Sequence, residues 1–521
     1  MKIRTDIVKM YKEIHGWVGI ISGLALFIAF YAGAITMFEE PLQRWASAPT
    51  RLAPPPPLDR TDELVAKVIA AHPEAATDYD IHVETGPDRP ARMSWEVRTP
   101  GGDGHAPRET FYASLAPDGG LQVEREGPSP VAQFVDVLHQ QVGLPFEHEI
   151  SMPIMGAIAL LYTIAIVSGL IVLLPSLVSD LFALRIGKNV KRMWLDVHNV
   201  LGLFSLPFHL IMALTAIVFA FHDQFYDAQG ALFGGKDRRP PVSVAPPEAG
   251  GQTLAPTEVL RRVAEQAPGF TVQQISYGVD RAEQPSLRVA GRDPRYGLRG
   301  PTFGLVELDP ASGAFTSTDY MPGHQDGWGA TIASFFALHF GSYGGTPIRW
   351  SYFLMGLAGA FLFYTGNLLW VESRRKRERK DGLPEQTRST RMLAALTIGV
   401  PLGCMAGISV TVAAAKPLGL GATEGMHSAI YYAVFLVFVG WALLRGAPRA
   451  SLELTVGCIV AMLCIPAATL LTMNSHPPVL PIVDAVAITL AAALMVSLVP
   501  AARRSKHGPR DSVWSRQTAS P

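Results

Sequence analysis

The chain reads as a polytopic α-helical membrane protein of about eight transmembrane helices carrying two α+β insertions arranged as an internal repeat. Three observations predict this class. Apolar runs long enough to cross a hydrocarbon core, which takes about 20 helical residues, recur at 16–38, 152–174, 197–221, 350–371, 392–414, 425–444, 452–473 and 479–500. Lysine and arginine gather in alternate connections, the bias that marks loops retained in the cytoplasm. Two long hydrophilic stretches, about 39–150 and 222–348, separate the first four runs in pairs.

The basic residues set the orientation. Lys2, Arg4, Lys9 and Lys12 precede the first span, and Arg185, Lys188, Lys191 and Arg192 lie between the second and third. The run Arg374 to Lys380 follows the fourth, Arg445 and Arg449 separate the sixth and seventh, and Arg503, Arg504 and Lys506 follow the eighth. Both termini are therefore expected in the cytoplasm and both long insertions outside it, in the periplasm of a bacterial inner membrane. The expected segments are TM1 1–38, insertion one 39–150, TM2 151–176, a cytoplasmic loop 177–196, TM3 197–221, insertion two 222–348, TM4 349–372, a basic loop 373–391, a four-helix extension 392–500 and a tail 501–521. The first span lacks a small-residue cleavage site at Phe38-Glu39-Glu40-Pro41, so it reads as a retained anchor.

Each insertion reads as a helix against an antiparallel sheet. In the first, Asp62–Ile69 is the helix, 92–97 and 111–115 are strands, and Pro117-Asp118-Gly119-Gly120 is a turn. In the second, Thr257–Val263 is the helix, 286–289 and 303–308 are strands, and Asp309–Gly313 is the turn. Pro54–Pro57 and the stretch 240–256 read as stiff linkers.

Composition excludes several classes. With 44 basic and 44 acidic residues the net charge is zero, so no nucleic-acid partner is indicated, and the basic run after span four reads as a topology signal. Cys404, Cys458 and Cys464 all fall in the last four spans and give no CxxC or CxxCH, so any haem is b-type and non-covalent. GxGxxG, Walker and HExxH signatures are absent.

Histidines carry the chemical signal. His15-Gly16-Trp17-Val18-Gly19 opens the first span and His198-Asn199-Val200-Leu201-Gly202 the third; Leu138-His139 and Leu338-His339 precede the second and fourth. The paired positions are about 183 and about 200 residues apart, as an internal duplication requires. Facing neutral imidazoles make an axial haem site, and two pairs can be drawn, His15 with His198 near one membrane face and His139 with His339 near the other. Gly16, Gly19, Gly202 and Gly341 leave room for a flat macrocycle. His209, eleven residues after His198, is an alternative ligand or near-haem donor without a counterpart in the first half. His148 between Glu147 and Glu149 reads as solvated surface or as part of a metal site. His222, His324 and His476 read as extracytoplasmic, and His72, His82 and His105 show no ligand spacing. Trp17, Trp194, Trp350 and Tyr352 read as interfacial belt residues.

HGWVG with Gly33, the two LH segments and the WLDVHNVLG stretch beginning at Trp194 resemble the PepSY-associated transmembrane family over residues 10–372. The resemblance implies periplasmic PepSY-like domains and, from some members, two b haems and reduction of a ferric siderophore or other ferric chelate, with electrons crossing the inner membrane. The donor is quinol or a cytoplasmic carrier; the lipid bilayer is the remaining partner. Ferrous iron binds hard oxygen ligands more weakly, so reduction releases the metal. A haem-free scaffold whose PepSY-like domains bind a periplasmic protein or peptidase is the alternative, and a transporter using the last four spans is a third reading. Lys416, Glu424 and Asp484, the few charges there, are placed at membrane edges.

Overall fold

The computed structural model describes residues 4–47, 50–86, 89–98, 108–125, 129–177, 185, 190–222, 224, 228, 253–279, 284–298, 303–383, 385–419, 422–473, 481–509 and 512–516. Lys188, His105, His476 and most of the 240–256 linker lie outside them. The chain divides into a helical unit, 1–46 with 130–223 and 350–521, and a second unit, 47–129 with 224–349.

In the helical unit, α1 (Thr5–Thr36) is followed by the short α2 (Glu39–Ala46). After the second unit's first segment come α4 (Val131–Gln140), α5 (His148–Leu173), α6 (Val190–Phe204) and α7 (Leu206–Ala220). The long α10 (Gly345–Lys380) leads into α11 (Arg388–Leu418), α12 (Glu424–Arg445), α13 (Ala447–Leu471) and α14 (Pro481–His507). Among the described residues, seven helices are long and apolar enough to cross a membrane, or eight if α6 and α7 count as one broken span.

The third expected span, 197–221, is that broken pair, bent by 68°. Leu206-Pro207 restarts the helix with proline in its first turn. Proline has no N–H for the helical ladder and its ring collides with the preceding turn, while Ser205 turns its hydroxyl back onto the carbonyl of Leu201, 2.5 Å away. His198 and His209 therefore sit on differently directed helices. The basic stretch expected as a loop from 373 continues α10 to Lys380 instead, with Arg375 paired to Glu372 at 2.8 Å and Arg504 of α14 to the same carboxylate at 3.0 Å.

Small residues set the closest helix contacts. On α11, Gly399, Gly403 and Gly407 recur every four residues, and a methyl group at any of them would lie within 3.1 Å of α12, against Ala442, Phe435 or Tyr431. Bare backbones let helices approach where lipid supplies no hydrophobic drive. Gly356 and Gly359 of α10 do the same against Ala34 and Phe30 of α1.

The second unit holds α3 (Thr61–Ala71), β1 (Tyr79–His82), β2 (Met93–Arg98), β3 (Arg108–Leu115) and β4 (Leu121–Glu124) from the first insertion. From the second come α8 (Pro256–Gln266), β5 (Thr271–Val279), β6 (Pro285–Arg292), β7 (Gly304–Leu308), β8 (Phe315–Tyr320) and α9 (Gly327–Phe340). The two insertions are not separate sheets as the sequence reading had them. All eight strands form one antiparallel sheet in the order β4-β3-β2-β1-β5-β6-β7-β8. β1 pairs with β5, setting Tyr79 opposite Tyr277 with stacked rings 4.6 Å apart. Pairing these two strands removes the exposed edge each half would otherwise present. Leu64, Val65 and Val68 of α3 and Val259 and Val263 of α8 join the core side chains of the sheet in one cluster, and Thr257 donates from Oγ1 to Asp62 at 2.5 Å to tie the helices together.

The unit boundaries also differ from the expected insertions. α2 and α4, placed by sequence in the first insertion, pack in the helical unit, because Leu42, Trp45, Val131, Phe134, Val135 and Leu138 are buried with α1, α11 and α12 residues.

A bis-imidazole candidate site

α1 and α6 bring the rings of His15 and His198 together, edge to face. Their ring centroids are 6.2 Å apart with the planes at 73°. His15 donates from Nδ1 to the carbonyl oxygen of Ala165 on α5 at 2.9 Å. Thr365 of α10 gives its hydroxyl proton to Leu362, so its Oγ1 accepts from His198 Nδ1 at 3.1 Å. Each ring is thereby held as the Nδ1–H tautomer, an assignment that follows from the network, with the Nε2 lone pair left for another partner. Neither Nε2 makes a hydrogen bond among the described residues. Metal–imidazole bonds of about 2.0 Å on both sides of one ion put facing nitrogens about 4 Å apart and ring centres about 6 Å apart. The residues present thus fit a group held by two axial histidines, with Ala165 and Thr365 as the outer supports such ligands use.

The surroundings suit a flat group. A Cβ on Gly19, one turn after His15, would meet nothing within 4 Å, and one on Gly202, one turn after His198, would meet only the Leu362 side chain at 3.7 Å. Gly169 is needed for a different reason: its Cβ would stand 2.9 Å from His15 Cε1. Two residues before His198, the fully buried side chain of Asp196 is paired with Arg185 at 3.0 Å and Arg192 at 3.1 Å, fixing the start of α6.

A third member of the helical unit repeats the tautomer. His139 on α4 donates from Nδ1 to the carbonyl oxygen of Ala29 at 2.8 Å, and its ring lies over Gly33, where a Cβ would stand 2.7 Å away. Counted along α1, this contact is 14 to 18 residues past His15, or about 21–27 Å at 1.5 Å per residue. Close by, the Glu39 carboxyl is raised to about 7 by burial, with Asp136 and Glu40 adding to the shift.

His209 on α7 is 2% exposed and shares a 2.5 Å hydrogen bond between its Nδ1 and the hydroxyl of Tyr162. Its Nε2 is buried with no partner among the described residues. Phe30, Phe208 and Phe363 surround the ring, with centroids 5.6, 5.7 and 6.3 Å away. His339 lies half-buried on α9 in the second unit, with Phe340 at 5.7 Å. The structure thus brings together the first expected pair, while the second is divided between the two units.

The family is fixed by the sequence comparison. The model of the PepSY-associated TM region matches residues 12–373, more than half of the chain. The chain belongs to the PepSY-associated transmembrane family. It is a multi-pass membrane protein, and α1, α4, α5, α6, α7 and α10 with the sheet unit make up the family region, while α11 to α14 lie beyond it. A comparison with curated protein sequences finds no match.

The remaining histidines separate cleanly. His148 is exposed at the start of α5, and no cluster of three or more metal-ligating side chains occurs among the described residues. His222 and His324 are exposed. His82 is buried in the sheet, its Nε2 bonded to Ser94 at 2.8 Å, and burial pushes its pKa down to about 3, with Arg89 and Arg92 adding to the effect. His72 sits beside Trp95 and Glu74. Of the expected belt aromatics, Trp17 is exposed against Trp370, but Tyr352 is buried against Phe208 and Trp350 packs on Phe38. No sequence signal marks His427, fully buried on α12 beside Phe134 with neither ring nitrogen bonded among the described residues. No counterpart in the repeat singled it out. Tyr162, Ala165 and Thr365 were equally silent, because a partner on another helix leaves no spacing signal.

Proposed function

We propose that this family member is a b-type di-haem oxidoreductase of the bacterial inner membrane, passing electrons to a ferric siderophore or other ferric chelate in the periplasm. The adjacent His15 and His198 rings, each with Nδ1 engaged and with Nε2 unbonded among the described residues, carry this reading. A bound haem supplies reversible one-electron transfer, and the axial histidines, their outer supports and the apolar surround tune it. His15 and His198 hold the group on the cytoplasmic side, and Ala165 and Thr365 keep both imidazoles in the ligating tautomer. Asp196 and its two arginines anchor α6 so that His198 keeps its place.

His139 is one ligand of the second haem on the periplasmic side, and His339 and His209 are the candidates for the other. Their variants decide between them. The orphaned buried Nε2 of His209 favours a role beyond packing, since an unsatisfied buried polar atom costs about 1–3 kcal/mol. Both insertions are PepSY-like domains of one internal repeat on the periplasmic face, supported by the symmetric strand order about β1 and β5. They hold the chelate, and one electron per ferric ion gives ferrous iron, which oxygen ligands release. The electron donor is quinol or a cytoplasmic carrier. Purified protein reduced with dithionite, freed of excess reductant by gel filtration and then mixed with a ferric chelate tests the reading: ferrous iron trapped by a ferrous-specific dye as the haem reoxidises supports it, while reduced haem-loaded protein that reduces no ferric chelate refutes it. A haem-free scaffold binding a periplasmic protein remains the reading to adopt if no haem is held.

A further inference from the structure

Where the family region meets the added helices, α1, α2 and α10 enclose a cavity of about 100 Å³ with α11, α13 and α14. Its walls are apolar, among them Ile35, Leu42, Phe353, Val412, Ile465 and Ala487. Of the polar groups on the wall, Ser409 spends its hydroxyl on the carbonyl of Met405. The volume suits a stretch of one hydrocarbon chain and is too small for a haem or a bulky chelate.

The polar residues gather one turn further on each helix. Trp45, Lys416 and Thr469 follow the lining residues Leu42, Val412 and Ile465 by three or four positions, and Asp484 precedes Ala487 by three, so each shares a face with a wall residue. Trp45 donates from its indole nitrogen to Asp484 Oδ1 at 3.2 Å and to Thr469 Oγ1 at 3.1 Å, and Thr469 donates to the same carboxylate oxygen at 2.9 Å. Lys416, 3% exposed, lies over the Trp45 ring at 4.5 Å. Its ammonium makes no hydrogen bond among the described residues, and Asp484 Oδ2 makes none either. An indole face attracts an ammonium but accepts no hydrogen bond from it, so the three N–H donors of Lys416 stay available to a ligand. The cap therefore sets a lysine ammonium and an aspartate carboxylate, which attract each other, around one indole beside an apolar slot, each with hydrogen-bonding capacity left for a ligand.

We infer that this junction is a binding site for a zwitterionic phospholipid, with one acyl chain in the cavity, its phosphate on Lys416 and its ammonium on Asp484. The charges of the cap match that headgroup in number and sign, whereas an anionic headgroup leaves Asp484 facing like charge. The bound lipid joins α11 to α14 to the family region, which gives the extension a place in the assembly independent of haem.

Native mass spectrometry of the full-length protein in mild detergent, titrated with phosphatidylethanolamine or phosphatidylglycerol, tests this. At least fivefold preference for one phosphatidylethanolamine per chain is expected, with the preference lost in Lys416→Met and in Asp484→Asn. Ala487→Phe, which fills the slot, is expected to lower binding of both lipids at least fivefold. Equal affinity for the two lipids, selectivity unchanged in both charge variants, or a co-purified quinone in place of phospholipid overturns the assignment.

Discussion

The ring of His139 lies against the bare backbone of Gly33, so close that a Cβ there would stand 2.7 Å from Nδ1. This is the contact that seats α4 on α1 and aims the histidine. Gly33→Val is predicted to push His139 off its Ala29 carbonyl and to cost about 1–3 kcal/mol through overpacking. Haem counting on the purified variant is expected to show loss of one haem, with the His15–His198 site still loaded. Full retention of both haems in a folded Gly33→Val protein contradicts the placement.

Gly169 plays the same part for His15, with 2.9 Å to Cε1. Gly169→Val is expected to displace the imidazole and lower occupancy of the His15–His198 site, while Gly19→Ala, which meets nothing within 4 Å, leaves the fold unchanged. Thermal unfolding and haem content of the two variants, measured together, separate the two roles.

Much of this arrangement was legible in the sequence. The spans announce themselves because about 20 apolar residues in a row have few other uses, and His15, His198, His139 and His339 stand out because they recur at matched positions. The break at Ser205 was signalled only by Pro207, inside a run that hydropathy alone joins. Strands β1, β4, β5 and β8 were missed, and the β1–β5 pairing was invisible, since alternation reports a buried face and carries nothing about the neighbour. The helices α2 and α4 look like parts of a soluble insertion because they are short, yet their apolar faces are used against α1 and α11. Tyr162 reads as one more aromatic in a span until the fold places it on His209.

The bond between Tyr162 and His209 makes its own prediction. Tyr162→Phe removes the hydrogen bond to His209 Nδ1 and is expected to cost about 1–3 kcal/mol. A lower unfolding temperature in detergent is the expected result; if His209 ligates haem, a shifted midpoint potential accompanies it. An unchanged melting curve refutes the bond as a stabilising contact.

On α11, Gly403→Leu would drive a side chain into Phe435, whose carbonyl lies 3.1 Å from the Cβ position. The predicted outcome is separation of α12 from α11 with the family region intact. Cysteine pairs introduced at the α11–α12 contact should cross-link in the wild-type background and fail to do so with the leucine present.

Acid sensitivity of the sheet unit is expected from His82. Its folded pKa of about 3 lies below the ordinary value of 6.5, so the unfolded chain takes up a proton that the folded one refuses. Stability from this residue is fully present above about pH 6.5 and falls as the pH drops toward 3. Chemical denaturation between pH 7 and 4, followed by fluorescence of Trp95, should show this loss, and His82→Asn should flatten it. A pH-independent midpoint in the wild-type protein contradicts the buried neutral histidine.

On the proposed function, His15 and His198 hold one haem between them. A pyridine haemochrome count with reduced-minus-oxidised spectra, made on detergent-purified wild-type, His15→Ala and His198→Ala proteins produced with ample haem, tests it most directly. Two b haems per chain are expected in the wild type, with the same single haem lost in either variant. Wild-type protein without haem, or variants that keep both, would contradict it.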